Sequence, residues 1–286
     1  MIKHKKTVCH PIGISLIEAD AAHRLIRLYM KKCLLLVIAL FLFTGCSFFR
    51  EAIKEKPFNA EESFEEANKL MKDGFNEKAR EVYETVLAKD ASRQYSTLAR
   101  VRIGDTYFED GSYDEAIVEY ESFLDINPYH KYAPYAQYKI AMSYFDRIKT
   151  VDVSYSWAKK ALKEFMKLQE RYPRNPYMDA IDSRIGTCNR YLAEYEFYVG
   201  DFYFKKESYK AAAQRFDNML RKYPDSKKES EALYYLGLSY RNMGEKDNAI
   251  AALSALIDKF PATRLSAEAK GLIDSYDNMP DTVKEK

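Results

Sequence analysis

The chain has little of what catalysis needs. Four histidines and four cysteines are spread over 286 residues. His4, His10 and His23 fall in the first 45 positions, which leaves His130, in the turn Pro128-Tyr129-His130-Lys131, as the one histidine downstream; it reads as a solvated turn residue. There is no glycine-rich phosphate loop, no Cys/His metal spacing and no G-x-S-x-G elbow. No cofactor is implied. Cys9, Cys33, Cys46 and Cys188 do not form a disulfide framework, and Cys188, inside a helical pattern, reads as a small buried hydrophobe. Concentrated positive charge is also missing. The first 45 residues hold seven of the 45 basic and two of the 43 acidic residues, leaving 38 against 41 and a net charge of −3. That balance gives no electrostatic case for nucleic acid. Ten glycines and nine prolines fall mostly at turns, and 47% hydrophobic residues is ample for a core, so an all-α chain is expected.

What is present is a repeat. Between Thr97 and His130, Ile103, Gly104 and Tyr107 lie on one helical face, Gly111-Ser112 breaks the helix, Ala116, Tyr120 and Phe123 lie on a second, and Asn127-Pro128 ends it. The order of small residue, aromatic, alanine, aromatic and proline matches the tetratricopeptide template of about 34 residues. Small residues are needed where two helices meet closely, aromatics fill the space beside them, and a proline cannot continue the helix. Val199-Gly200-x-x-Tyr203 with Ala212, Phe216 and Pro224 repeats the frame, as does Leu236-Gly237-x-x-Tyr240 with Ala249, Leu253 and Pro261. Ile140-Ala141-x-x-Tyr144 leads to Ala161, Phe165 and Pro173, with about eight extra residues, Lys149 to Ser156, expected to lengthen the inter-helix turn. Ala67-x-x-Leu70, Ala79 and Tyr83 make a weaker first unit. The expectation is an all-α, TPR-like solenoid of five helix-turn-helix repeats over 61–276, with a long helix from Met178 to Lys205, a capping helix from Leu265 to Tyr276 and a frayed tail over 277–286.

Before the repeats, 1–29 has no convincing periodicity, and Met30-Lys31-Lys32 opens a second beginning, so 1–29 reads as an N-terminal extension. The apolar run Cys33 to Phe43, after two lysines and before Thr44-Gly45-Cys46, suits a signal-peptide h-region over 30–45 and is too short to span a bilayer. Small residues before a cysteine resemble the bacterial lipobox, which makes Cys46 the lipidation site, with Phe43 departing from the usual aliphatic residue. Ser47 after it favours the outer membrane by the same resemblance, and 46–60 reads as a lipidated tether.

By resemblance to the repeat family, positions two, five, nine and twelve of each unit face the concave side. They include Phe64, Met71, Leu98, Val101, Asp105, Phe108, Tyr135, Tyr138, Met142 and Phe145. This apolar face suits an extended peptide with bulky side chains; equally, it suits a tightly wound solenoid that closes over its own core. Only Asn68 matches a carboxylate clamp. Arg215 and Arg221, on the second helix of the fourth unit, are candidate partners for carboxylates of another domain, or solvated surface residues.

Two stretches are more specific than the repeats: Leu192-Ala193-Glu194-Tyr195-Glu196-Phe197-Tyr198-Val199, and Met219-Leu220-Arg221-Lys222-Tyr223-Pro224-Asp225-Ser226. With the lipobox and the five units they resemble the D-subunit family of the β-barrel assembly machinery of Gram-negative outer membranes. The resemblance implies a non-enzymatic scaffold, lipid-anchored in the outer membrane and facing the periplasm. Its C-terminal units would dock the barrel subunit beside companion lipoproteins, and its N-terminal units would receive unfolded barrel precursors. The alternatives are another envelope lipoprotein of this repeat class, coordinating peptidoglycan or division, and an enzyme with an unrecognised site.

Overall fold

The structure is a computed structural model and describes residues 26–35 and 57–277. Residues 26–35 form a short exposed helical segment; Cys46 and most of the signal-like run lie outside the described residues. Among the described residues no helix is long and apolar enough to cross a membrane.

The remainder is five helix pairs and a final helix: α1 (Ala60–Lys72) with α2 (Asn76–Lys89), α3 (Ser96–Glu109) with α4 (Tyr113–Ile126), α5 (Ala133–Phe145) with α6 (Val151–Arg171), α7 (Met178–Lys205) with α8 (Tyr209–Lys222), α9 (Glu229–Asn242) with α10 (Lys246–Lys259), and α11 (Arg264–Asp277). Each helix packs on the next in sequence. Asn59 starts the first, its Oδ1 accepting from the amides of Glu61 and Glu62 at 3.0 and 3.3 Å. The turn after α3 closes with Ser112 N donating to Tyr107 O at 2.9 Å and Gly111 N donating to Phe108 O at 3.0 Å; Gly111 has φ 75°, which only glycine adopts at no steric cost. The fourth unit makes the same turn with Glu207 at φ 59°.

One contact recurs through the stack. Tyr83, Tyr120, Phe165, Phe216 and Leu253, each 0% exposed, project from the second helix of their units onto a small residue of the first. A Cβ on Gly104 would lie 2.7 Å from the Tyr120 ring, and one on Gly200 would lie 2.7 Å from Phe216. Ala67 and Ala141 fill the corresponding places in the first and third units. The nearest atoms to each of these glycines belong to that large side chain, and at Gly237 the carbonyl oxygen of Ala249 follows at 3.4 Å. Each such burial contributes about 1.5 to 3 kcal/mol, and stacking brings five apolar clusters into line, with Tyr107, Tyr144, Tyr172 and Leu220 each packing against two of them.

The third unit differs from expectation. The extra residues do not lengthen the turn: most of them add turns to the start of α6, which runs to 21 residues. Ser154 Oγ accepts from the amides of Lys149 and Thr150 at 2.8 and 3.1 Å, tying back the new N-terminus. Aromatic contacts hold it: Tyr155 lies 4.4 Å from Tyr195 of α7, and Trp157 stacks on Tyr144 at 6.3 Å with Arg147 4.6 Å from its ring. The partner α7 is itself 28 residues, about 42 Å long. Its first half packs on α6 and its second on α8, so the third and fourth units share one rod.

Candidate functional site

A cleft of about 290 Å³ opens between the first helices of the first three units, walled by Phe64, Leu98, Val101, Arg102, Tyr132, Tyr135 and Tyr177. Phe64 and Val101 are only 7% and 4% exposed, so they form its back wall and not its rim. Behind it lies a polar network that the periodicity did not reveal. Asp105, 1% exposed, accepts from Tyr120 Oη at 2.6 Å and Tyr135 Oη at 2.8 Å on one carboxylate oxygen, and from Arg102 Nη1 at 3.0 Å on the other. Burial, reinforced by the neighbouring carboxylate, pushes both tyrosine hydroxyls well above their ordinary pKa, so both stay protonated donors. The network fixes Tyr135 as a wall of the cleft and joins the second unit to the third.

The sequence-predicted groove residues divide. Phe64, Leu98, Val101 and Tyr135 meet at this cleft, whereas Tyr138, Met142 and Phe145 are covered by Arg184 of α7, with Tyr177 and Phe165 against the two rings. Tyr138 stacks on Tyr177 at 4.6 Å and 12°, Phe145 meets Phe165 edge-on at 5.9 Å, and Met142 Sδ accepts from Arg184 Nε at 2.9 Å. The Arg184 guanidinium also lies 5.9 and 5.6 Å from the rings of Tyr138 and Phe145. Phe108 is covered by Lys139, whose ammonium sits 3.4 Å from its ring centre. Met71 packs at the edge of the first cluster. Asn68 accepts from Tyr83 Oη at 2.7 Å and so serves the core. The cleft also uses Tyr132 and Tyr177, missed because they lie outside the helices. A signal existed: Tyr95, Tyr132 and Tyr177 each immediately precede the first helix of a unit, and Tyr95 lies against Phe64 at 5.6 Å.

In the C-terminal half, Arg215 Nη1 lies 3.2 Å from Glu196 Oε2, a carboxylate 3% exposed, so this arginine already balances a buried charge. Arg221 is exposed; its Nε pairs with Asp217 at 3.0 Å and its Nη2 donates to Asn218 at 2.8 Å. His130 is not simply solvated. It is half-buried, edge-on to Phe123 at 5.5 Å, and its Nδ1 accepts from the amide of Tyr132 at 3.2 Å; desolvation, with Lys131 beside it, lowers its pKa. Burial pushes the Cys188 thiol up to about 12, which makes it unreactive.

Five stacked helix pairs, each closed by a large side chain on a small one, with an aromatic cleft across the first three, define a tetratricopeptide-type solenoid. Within that class, the chain belongs to the YfiO family of outer membrane lipoproteins, whose sequence pattern matches residues 57–252. Its curated relatives include the outer membrane protein assembly factor BamD of Rickettsia prowazekii (strain Madrid E), 28% identical over 203 residues, covering 70% of this chain and 80% of the relative. BamD of Vibrio cholerae serotype O1 is 25% identical over 221 residues, covering 74% and 91%. Among solved structures it is similar to the TPR2AB domain of yeast Sti1 in its pHSP90 complex, with 16% identity, TM-score 0.43 and coverage of 76% and 85%.

Proposed function

We propose that this chain is a non-enzymatic scaffold of outer-membrane β-barrel assembly, binding the barrel subunit and companion lipoproteins through its C-terminal units and unfolded barrel precursors through its N-terminal ones. The observation that carries the reading is the cleft walled by Phe64, Leu98, Val101, Tyr132, Tyr135 and Tyr177. It is largely aromatic and aliphatic, with Arg102 at its side tied to Asp105 and the Tyr135 hydroxyl turned onto the same carboxylate, and it suits bulky side chains of an extended segment. Membership of an outer-membrane lipoprotein family and the names of the relatives support the setting.

Two double variants test the division of labour. Leu98→Ala with Tyr132→Ala strips the rim and is expected to weaken binding of a C-terminal barrel peptide by about 1 to 3 kcal/mol, with pull-down of the barrel subunit retained. Arg215→Lys with Arg221→Ala is expected to do the reverse. Lysine is used at 215 because alanine would strand Glu196 and unfold the region for reasons unrelated to binding. Equal loss of both activities in both folded variants would overturn the division.

The same reading places Cys46 under acyl chains that hold the protein on the periplasmic face of the outer membrane. Cys46→Ser is expected to abolish lipid labelling and to shift the protein from the membrane to the soluble fraction. Membrane retention of an unacylated, processed variant would sink the anchor.

A further inference from the structure

The turn between α8 and α9 closes over the middle of α7 to make a separate cleft of about 430 Å³, lined by Gly186, Asn189, Arg190, Lys222, Tyr223, Pro224, Asp225, Ser226 and Lys227. It contains most of the Leu220–Ser226 stretch that stood out in the sequence and that the aromatic cleft does not use. Arg190, Lys222 and Lys227 are exposed around it, and none has an ion pair among the described residues. Its one carboxylate, Asp225, is held by Lys259 Nζ at 3.0 Å, so it does not cancel them.

The turn is rigid before anything binds. Asp225 sits at φ 62°, its amide donates to Glu229 Oε2 at 2.9 Å, the Glu229 amide donates to Ser226 O at 2.9 Å, and Lys259 Nζ meets Glu229 Oε1 at 2.6 Å. Ser226 and Lys227 are thereby fixed over a floor that is open at Gly186, where an added Cβ would meet nothing within 4 Å. A preorganised site loses little entropy when it is filled.

From the three uncompensated cations around a preformed cleft we infer that it is a second docking site, which takes an extended acidic segment of a partner protein. Arg190 supplies a planar fork for a carboxylate, Lys222 and Lys227 supply point charges, Asn189 and Ser226 can bond the segment's main chain, and Tyr223 with Pro224 offer an apolar wall. A bilayer surface fits less well. Headgroup attraction adds about 1 kcal/mol per basic residue on a face that can lie flat, and a planar surface cannot reach a floor formed by a helix. The inference needs only this chain and stands apart from the assembly reading.

The test measures anisotropy of a fluorescein-labelled peptide, GEEYEDG, with the full chain in detergent. Saturable, salt-sensitive binding is expected. Gly186→Trp, which fills the floor, and Lys222→Ala with Lys227→Ala should each weaken it about tenfold. Lys69→Ala with Lys72→Ala, an equal charge change on α1, should leave it unchanged. Inorganic phosphate should not compete, and phosphatidylglycerol vesicles should not bind through the same residues. Failure to bind, loss matched by the α1 control, or vesicle binding that the lysine pair controls without peptide binding would each overturn the site. Circular dichroism checks that Gly186→Trp is folded; if it is not, the lysine pair decides.

Discussion

Replacing Asp105 by alanine is expected to cost about 2 to 4 kcal/mol, although the residue sits on a first helix where the repeat pattern expects a ligand-facing side chain. The carboxylate is 1% exposed and takes two tyrosine hydroxyls and one guanidinium. Arg102 is 42% exposed at its side chain and can turn to water, so little of the loss comes from its charge. The larger part comes from the hydroxyls, above all that of Tyr120, which is 0% exposed and would be left without an acceptor. Urea denaturation should show the midpoint falling. Because the network ties the second unit to the third, the slope should fall too if the N-terminal units open separately. The control is Asp105→Leu combined with Tyr120→Phe and Tyr135→Phe: removing acceptor and donors together should recover most of the stability. A single variant within about 0.5 kcal/mol of the parent would mean that the network contributes nothing.

This site shows where sequence reading stops. The spacing of Gly104, Tyr107, Ala116, Tyr120 and Pro128 located both helices of the unit, and the absence of any Gly-Pro break between Met178 and Lys205 located the long helix. Periodicity reports which face of a helix is apolar, and that is a local property. It does not report that Tyr135, 30 residues after Asp105, will reach it, or that Arg184, 42 residues after Met142, will lie across a face that would otherwise be open. The concave positions therefore looked alike in sequence, yet four of them wall a cleft and three are covered by Arg184 of α7. The extension of α6 was illegible for a related reason. Its added turns are held by Tyr155 on Tyr195 of the next unit and by Trp157 on Tyr144 across its own unit, contacts between helices that an isolated segment does not announce. Arg215 is the same case in reverse: a candidate for a partner's carboxylate proved to have one of its own in Glu196.

Gly237→Leu should be severely damaging in the C-terminal half, at about 3 kcal/mol or more. A Cβ at 237 would already lie 2.6 Å from Leu253 Cγ and 2.7 Å from its Cδ2, with the carbonyl oxygen of Ala249 at 3.4 Å. Leu253 is 0% exposed and packs with Leu233, Leu256 and Ala269, so it has nowhere to retreat. An isobutyl group there must push α9 and α10 apart, and α11, which covers the end of the same cluster, would lose its seat. The effect should be confined at first to that end of the stack, since each repeat leans mainly on its neighbours. Amide hydrogen exchange should therefore speed up across α9, α10 and α11 while α1 to α4 keep their protection, and the thermal midpoint should fall. The internal control uses the same residue type in a different place. Gly186, in the middle of α7, has open space where its Cβ would stand. Gly186→Ala should stabilise the chain by about 0.5 to 1 kcal/mol, because alanine loses less freedom than glycine on entering a helix. Opposite signs at the two glycines are the outcome required by a close helix contact at 237 and an open floor at 186. A Gly237→Leu protein with an unchanged midpoint would mean that these helices do not meet at that point.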